Sequence, residues 1–126
     1  MTLNSYRVLI VDDNPTFVKT LSMLVKDILG SKLTKLEVAY NGIDAVEKAF
    51  RNEPYNIIFM DVNMPEMNGI MATKLISQEL YRGTKVVGLS FNRDLQTVSE
   101  MISSGATNYI YKDSLTVETL EKVFEI

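Results

Sequence analysis

The sequence predicts a three-layer α/β/α sandwich built on a five-stranded parallel sheet. Five short apolar runs alternate with five stretches whose apolar residues recur at helical spacing, and the connections between them are short. The runs Val8-Leu9-Ile10-Val11 and Ile57-Ile58-Phe59-Met60 are apolar without a break and rich in branched residues, as in strands covered on both faces. Strands of that kind pair in parallel through right-handed helical crossovers, which place helices on both sides of the sheet.

The first strand runs from Val8 to Val11. Asn14-Pro15 marks the turn into the first helix, where the missing N–H of proline removes no bond. Phe17, Leu21, Leu24, Val25 and Ile28 form its inner stripe through Leu29, and Gly30 stops it. Leu36 to Ala39 is the second strand, and Asn41-Gly42 turns the chain into a helix with Ala45, Val46 and Ala49 inward. Pro54 closes that helix, Ile57 to Met60 is the third strand, and Asp61 to Asn68 is a loop. The next helix covers about Gly69 to Leu80, and Lys85 to Ser90 is the fourth strand. Leu95, Val98, Met101 and Ile102 give the fourth helix its inner stripe. Gly105 stops that helix, Ala106 to Tyr111 is a short fifth strand, and Leu120, Val123 and Phe124 line the last helix.

Residues 1–126 are expected to form a single domain, a length that can bury a real core. A hydrophobic share of 46% and a charged share of 23% exclude a disordered chain. The net charge is −3 and the basic residues are scattered, so direct nucleic-acid binding is not expected. The lack of cysteine and histidine excludes disulfides, thiolate chemistry, an ordinary zinc site and every His-based catalytic arrangement. No apolar run approaches membrane-spanning length, and Met1-Thr2-Leu3-Asn4-Ser5 has no signal-peptide character. A cytoplasmic protein without membrane contact is the expectation.

In open parallel sheets ligands bind beyond the carboxyl ends of the strands. Asp12, Asp13, Asp61, Ser90 and Lys112 all fall at or just past such ends. Three carboxylates crowded together repel one another unless a cation joins them. Mg²⁺ takes oxygen ligands and keeps several waters, which suits Asp13 and Asp61 as direct ligands and Asp12 through water. A carboxylate in such a cluster is also a nucleophile toward phosphorus, with Lys112 and Mg²⁺ neutralising the transferring group and the Ser90 hydroxyl donating to a phosphoryl oxygen. Tyr109 is a half-buried aromatic near the site. Singly, each residue has an ordinary reading: an acid or a serine after a strand caps a helix or a turn. Their agreement at one sheet edge argues for chemistry instead. No GxGxxG follows the first strand and no GxxxxGK(S/T) occurs, so a nucleotide fold has no supporting motif.

Four segments then carry a resemblance: Val8-Leu9-Ile10-Val11-Asp12-Asp13-Asn14, Met60-Asp61-Val62-Asn63-Met64-Pro65-Glu66-Met67-Asn68-Gly69, Leu89-Ser90, and Gly105-Ala106-Thr107-Asn108-Tyr109-Ile110-Tyr111-Lys112. In order and spacing they resemble the receiver domain of bacterial two-component response regulators, over essentially the whole chain. The resemblance implies a flavodoxin-like sheet in order 2-1-3-4-5 and Mg²⁺ as cofactor. It implies that Asp61 takes a phosphoryl group from a sensor histidine kinase or phosphotransfer protein. Asp12, Asp13, Asp61 and the Asn63 carbonyl would hold the metal, Lys112 would pair with the phosphoryl oxygens, and Ser90 and Tyr109 would move as the switch. Such a receiver catalyses its own phosphorylation and slow dephosphorylation. It acts on an effector domain or partner protein through the fourth helix, fifth strand and fifth helix, and a phosphorylation-dependent homodimer belongs to the same expectation.

Two residues depart from the family pattern. Phe91 follows the switch hydroxyl where the family usually has a small residue; it either covers the site or packs against the fourth helix as core. Asp113 follows the lysine where many members have proline. With Val87-Gly88-Leu89-Ser90, the Lys112-Asp113 pair looks like receivers of transcription factors with a helix-turn-helix output domain. The last helix reaches Ile126 without a C-cap glycine, which favours a fragment over a stand-alone receiver. Two other function classes compete. A receiver-like interaction module working without phosphorylation draws only on Phe91. A Mg²⁺-dependent phosphohydrolase normally has a second acid two residues after its nucleophile, where this chain has Asn63.

Overall fold

Alternation of side chains along β1 (Tyr6–Val11) and β3 (Ile57–Asp61) divides the core into two layers. Leu9, Val11, Ile58 and Met60 face one side, while Val8, Ile10, Ile57 and Phe59 face the other. The first side is covered by α2 (Gly42–Arg51), α3 (Gly69–Glu79) and α4 (Leu95–Ser103). The second is covered by α1 (Pro15–Leu29) and α5 (Val117–Phe124). With β2 (Leu33–Ala39), β4 (Lys85–Ser90) and β5 (Asn108–Tyr111), the sheet has the order β2-β1-β3-β4-β5, and every neighbouring pair is parallel. This is the three-layer flavodoxin-like arrangement. The computed structural model describes residues 3–51, 53–79 and 83–126. Met1 and Thr2, and the expected end of the third helix at Leu80, lie outside the described residues, within which no helix is long and apolar enough to cross a membrane.

Several elements differ from the sequence expectation, each for a local reason. Strand β2 starts at Leu33 rather than Leu36, after a 3₁₀ turn over Gly30–Lys32. It is an edge strand, so its polar residues face water, and the ladder absorbs an extra residue where Tyr6 pairs with Leu33 but Arg7 with Lys35. Strand β1 begins at Tyr6, whose buried hydroxyl donates to the Phe124 carbonyl at 2.8 Å and ties the first strand to the last helix. Strand β5 begins at Asn108 rather than Ala106, because the Ala106 N–H is still occupied by the Met101 carbonyl at the end of α4. In α1 the Asn14 side chain caps the helix by accepting from the N–H groups of Thr16 and Phe17. The buried row there is Val18, Leu21, Val25 and Leu29, with Phe17, Leu24 and Ile28 on its flanks.

The largest correction concerns α4. Met101 is buried, but Leu95 is 80% and Ile102 45% exposed, and Val98 is only half-buried. This helix packs over β5, the outermost strand, so part of its apolar stripe overhangs the edge of the sheet. The expected stripe of Leu95, Val98, Met101 and Ile102 thus reduces to one core residue and an apolar surface.

Candidate functional site

Three strand ends converge on one carboxylate cluster. Asp12 follows β1, and its N–H extends the ladder by donating to the Ala39 carbonyl. Asp61 is the last residue of β3, and Lys112 follows β5. Oxygen atoms of Asp12, Asp13 and Asp61 all lie within 4.8 Å of one another. Asp12 and Asp61 are buried, whereas Asp13 is exposed. The Lys112 ammonium nitrogen is 2.6 Å from Asp12 Oδ2 and 3.2 Å from Asp61 Oδ1. Its contact with Asp12 Oδ2 is an ion pair without well-aligned hydrogen-bond geometry, since that oxygen is otherwise unpartnered. Asp12 Oδ1 accepts from the Asn14 N–H at 2.9 Å. Both Asp12 oxygens are therefore engaged by the protein, which leaves Asp13 and Asp61 as the more open donors. Three hard oxygen donors, one open to solvent, fit a Mg²⁺ ion and its retained waters.

The loop after β3 is held against the site by close backbone approach. Any Cβ on Gly69 would strike the Asp61 carbonyl oxygen, and the Gly69 N–H donates to the Val62 carbonyl at 2.8 Å. Glycine at the start of α3 thus lets that helix close directly over the acidic loop.

The expected switch residues lie on a second network. Ser90 is buried, and its oxygen accepts from the Asn92 N–H at 2.9 Å and from the Asn63 amide at 3.4 Å. With those two bonds accepted, its own proton remains to donate. The Tyr109 hydroxyl donates to the Asn92 carbonyl at 3.1 Å, so its half-buried ring already reaches inward under the β4–α4 loop. Gly88 makes room for it, since a Cβ there would come within 3.0 Å of the Tyr109 ring. Burial raises the Tyr109 phenol above its ordinary value, partly offset by a hydrogen bond with Ser90.

Phe91 is 66% exposed, which contradicts the alternative that it packs as core. It stands at the end of β4 and projects into solvent, with its ring centroid 5.6 Å from the Lys112 nitrogen. Asp113 also acquires a partner. The Arg93 guanidinium donates to Asp113 Oδ1 at 2.8 Å and to Ser114 Oγ at 3.3 Å, and lies 4.0 Å from the Tyr111 ring centroid. Arg93 was not singled out in the sequence because a lone exposed arginine carries no local signal. Phe17 was assigned only to the first helix stripe, yet its ring centroid lies 4.5 Å from the Lys112 nitrogen.

Asp61 is held above the ordinary carboxylate range. Its pKa is raised from 3.8 to about 6, first by burial and then by the Asp12 charge, with Lys112 pulling it back and Asp13 adding to the rise. A carboxyl held up in this way is one that added positive charge would ionise.

A family model described as "Response regulator receiver domain" matches residues 8–124. The chain belongs to the response regulator receiver domains. It is 34% identical over 116 residues to the transcriptional regulatory protein LnrK of Bacillus subtilis, covering 92% of this chain and 50% of that protein. The chain thus spans half or less of the length of the first curated relatives it matches. The crystal structure of the response regulator domain of Thermotoga maritima CheB is 33% identical with a TM-score of 0.74, covering 97% of this chain and 98% of that one. The receiver domain of the Pseudomonas aeruginosa sensor histidine kinase PA1611 has the same fold, at a TM-score of 0.82 and 23% identity over 96% of this chain and 95% of that one. That receiver was solved with a magnesium ion coordinated in its active-site cleft. As a receiver domain the chain is a phosphoaccepting signalling domain, and its three acids form a cluster able to hold a metal ion.

The raised Asp61 value sets a pH test. Its folded pKa lies above the unfolded one, so its contribution to stability is complete below pH 3.8 and is lost as the pH rises through about 6. Across that window the metal-free protein should lose up to roughly 1.4 kcal/mol per pH unit on account of this group. Bound Mg²⁺ favours the ionised form and opposes the loss. The rise in melting temperature caused by millimolar Mg²⁺ should therefore be larger at pH 7.5 than at pH 5. A rise that is equal at both values, or absent, would count against this charge balance.

Proposed function

We propose that residues 1–126 form a single receiver domain in which Asp61 is the phosphoacceptor. One observation carries the assignment: the Lys112 ammonium reaches both Asp12 and Asp61, at 2.6 and 3.2 Å, with Asp13 completing the acidic cluster. Asp12 and Asp61 are both buried, in contact with the lysine and part of the acidic cluster, but the Asn14 N–H already occupies Asp12 Oδ1, which leaves Asp61 as the buried acid better placed to be a nucleophile shielded from bulk water. Receiver domains as a family take phosphoryl groups from histidine kinases or phosphotransfer proteins, and receivers within histidine kinases are among the relatives. For this chain we assign the donor to the same class.

An Asp61 oxygen attacks phosphorus of a phosphohistidine. The O–P bond forms as the P–N bond breaks, and the imidazole leaves with the electron pair of that bond. Asp12, Asp13, Asp61 and the Asn63 carbonyl would hold Mg²⁺, which supplies positive charge against the phosphoryl oxygens. Lys112 pairs with another phosphoryl oxygen. Ser90 turns its proton toward a third, and hydrogen bonds to a charged group of this kind contribute about 1.5–3 kcal/mol. Because Ser90 and Tyr109 both bind Asn92, a shift of Ser90 is felt directly at the Tyr109 hydroxyl. The overhanging apolar residues of α4, Leu95 and Ile102, with half-exposed Val117 on α5, give the switch an output surface on α4, β5 and α5. An effector, a partner or a second phosphorylated copy would read that surface. Identity to a transcriptional regulatory protein supports a helix-turn-helix output domain, and a cytoplasmic location belongs to the same proposal.

Replacing the acceptor tests the assignment. Asp61→Asn keeps the shape but removes charge and nucleophilicity, so it should abolish the mass gain seen after incubation with a small phosphodonor and Mg²⁺, with the circular dichroism unchanged. An undiminished mass gain would refute the assignment. Phe91 supplies a second test, because bulk beside the path of attacking water obstructs hydrolysis. Phe91→Ala should shorten the phosphorylated lifetime while stability stays within about 0.5 kcal/mol, as for an exposed site. An unchanged lifetime would end the cover role.

A further inference from the structure

Lys112 has a second set of contacts that carboxylate pairing does not explain. An ammonium has three N–H donors. The nitrogen pairs with Asp12 and Asp61, and among the described residues no other oxygen pairs with this lysine. The side chain is nevertheless only 7% exposed, so water does not freely surround the rest of the ammonium. Aromatic rings lie close to it: the Phe17 centroid is 4.5 Å and the Phe91 centroid 5.6 Å from the nitrogen. A ring face carries partial negative charge and attracts a cation most strongly when the pair is desolvated. Phe17 is the closer and the half-buried ring, whereas Phe91 is near the outer limit of such a contact and mostly exposed.

The Phe17 ring is also fixed relative to the acids by short backbone links. The Asn14 N–H donates to Asp12 Oδ1, and the Asn14 side chain accepts from the Phe17 N–H at 3.2 Å. The helix cap thus connects the first acid of the cluster to the residue that faces the lysine. Phe17 flanks the buried row of α1 rather than belonging to it. An aromatic residue that only filled core would be expected in that row, next to Val18 and Leu21.

We propose that Phe17 is a positioning residue for Lys112: its ring face holds the ammonium over Asp12 and Asp61, in the place where the amine must meet the incoming phosphoryl group. A lysine side chain is long and flexible and binds as a point charge, so nothing in its own shape sets its direction. The ring restricts it without competing for the phosphoryl oxygens, because a π face accepts no covalent or metal partner here. This rests on the phosphoacceptor reading, and adds to it a residue outside the acidic and hydroxyl positions.

Two variants of the full chain separate ring electrostatics from packing. Phe17→Leu keeps an apolar side chain of similar reach but loses the π face, and Phe17→Tyr keeps the face. Proton NMR without phosphodonor should show the Lys112 Cε protons, assigned by their loss in Lys112→Arg, shifted upfield by the ring in the parent and in the tyrosine variant, but not in the leucine variant. With acetyl phosphate and Mg²⁺, the leucine variant should gain mass about fivefold more slowly, the order of effect of one cation–π contact. The tyrosine variant should phosphorylate near the parental rate. Parental speed in the leucine variant, or equal slowing in both variants, would overturn the proposal. A parent that takes no phosphoryl group would overturn the phosphoacceptor reading instead, while the upfield shift would still decide whether Phe17 holds the lysine.

Discussion

The rest of the site depends on one amine shared between two buried acids. Asp12 and Asp61 are almost entirely removed from water, with Asp13 close beside them, and like charges so placed repel one another. Lys112 reaches both buried acids and offsets one charge of the cluster, leaving it net negative. A buried pair of this kind contributes little to stability beyond what its desolvation costs, and removing one partner is strongly destabilising. Its value lies in placement. The remaining negative charge invites a divalent cation, and burial first, then the Asp12 charge, holds the Asp61 carboxyl above its ordinary value.

The fold supplies that placement through strand order. β1 and β3 are adjacent and parallel, so the ends bearing Asp12 and Asp61 meet, while Lys112 must reach inward from the end of β5 at the sheet edge. The loop after β4 lies between them and is pinned from several sides. Ser90 and Tyr109 bind Asn92, and Arg93 grips Asp113, Ser114 and the Tyr111 ring. The Arg93–Asp113 pair is exposed and weak by itself. It nevertheless joins the residue after the lysine to the loop that follows Ser90. Asp113 replaces the proline common at this position with a side chain that has its own bond to make. A group entering between Asp61, Ser90 and Lys112 would touch Ser90, one anchor of this loop, and the residue next to Asp113, which holds another.

Much of this was legible in the sequence because it follows from chain ends and periods. Asp12, Asp13, Asp61, Ser90 and Lys112 are found by asking what lies just past each apolar run, and the sheet brings them together. Strand β2 was foreshortened because an edge strand carries polar residues that a search for continuous apolarity rejects. The stripe of α4 was assigned wholly to the core because periodicity identifies an apolar face but cannot tell whether a neighbour exists to cover it. Phe17 and Phe91 show the same limit from the other side. Helical spacing places Phe17 in the core row, and the family pattern leaves Phe91 as either a cover or core; neither points to their common neighbour Lys112, ninety-five residues from Phe17 and about twenty from Phe91.

The central claim is that phosphoryl chemistry occurs at Asp61 and at no other acid of the cluster. Chemical reduction gives the most direct reading. An aspartyl phosphate treated with borohydride becomes homoserine, and peptide mass mapping locates it. After phosphorylation in Mg²⁺, the account predicts homoserine at position 61 alone. Homoserine at position 12 or 13, or a phosphorylated protein that yields none, would contradict it.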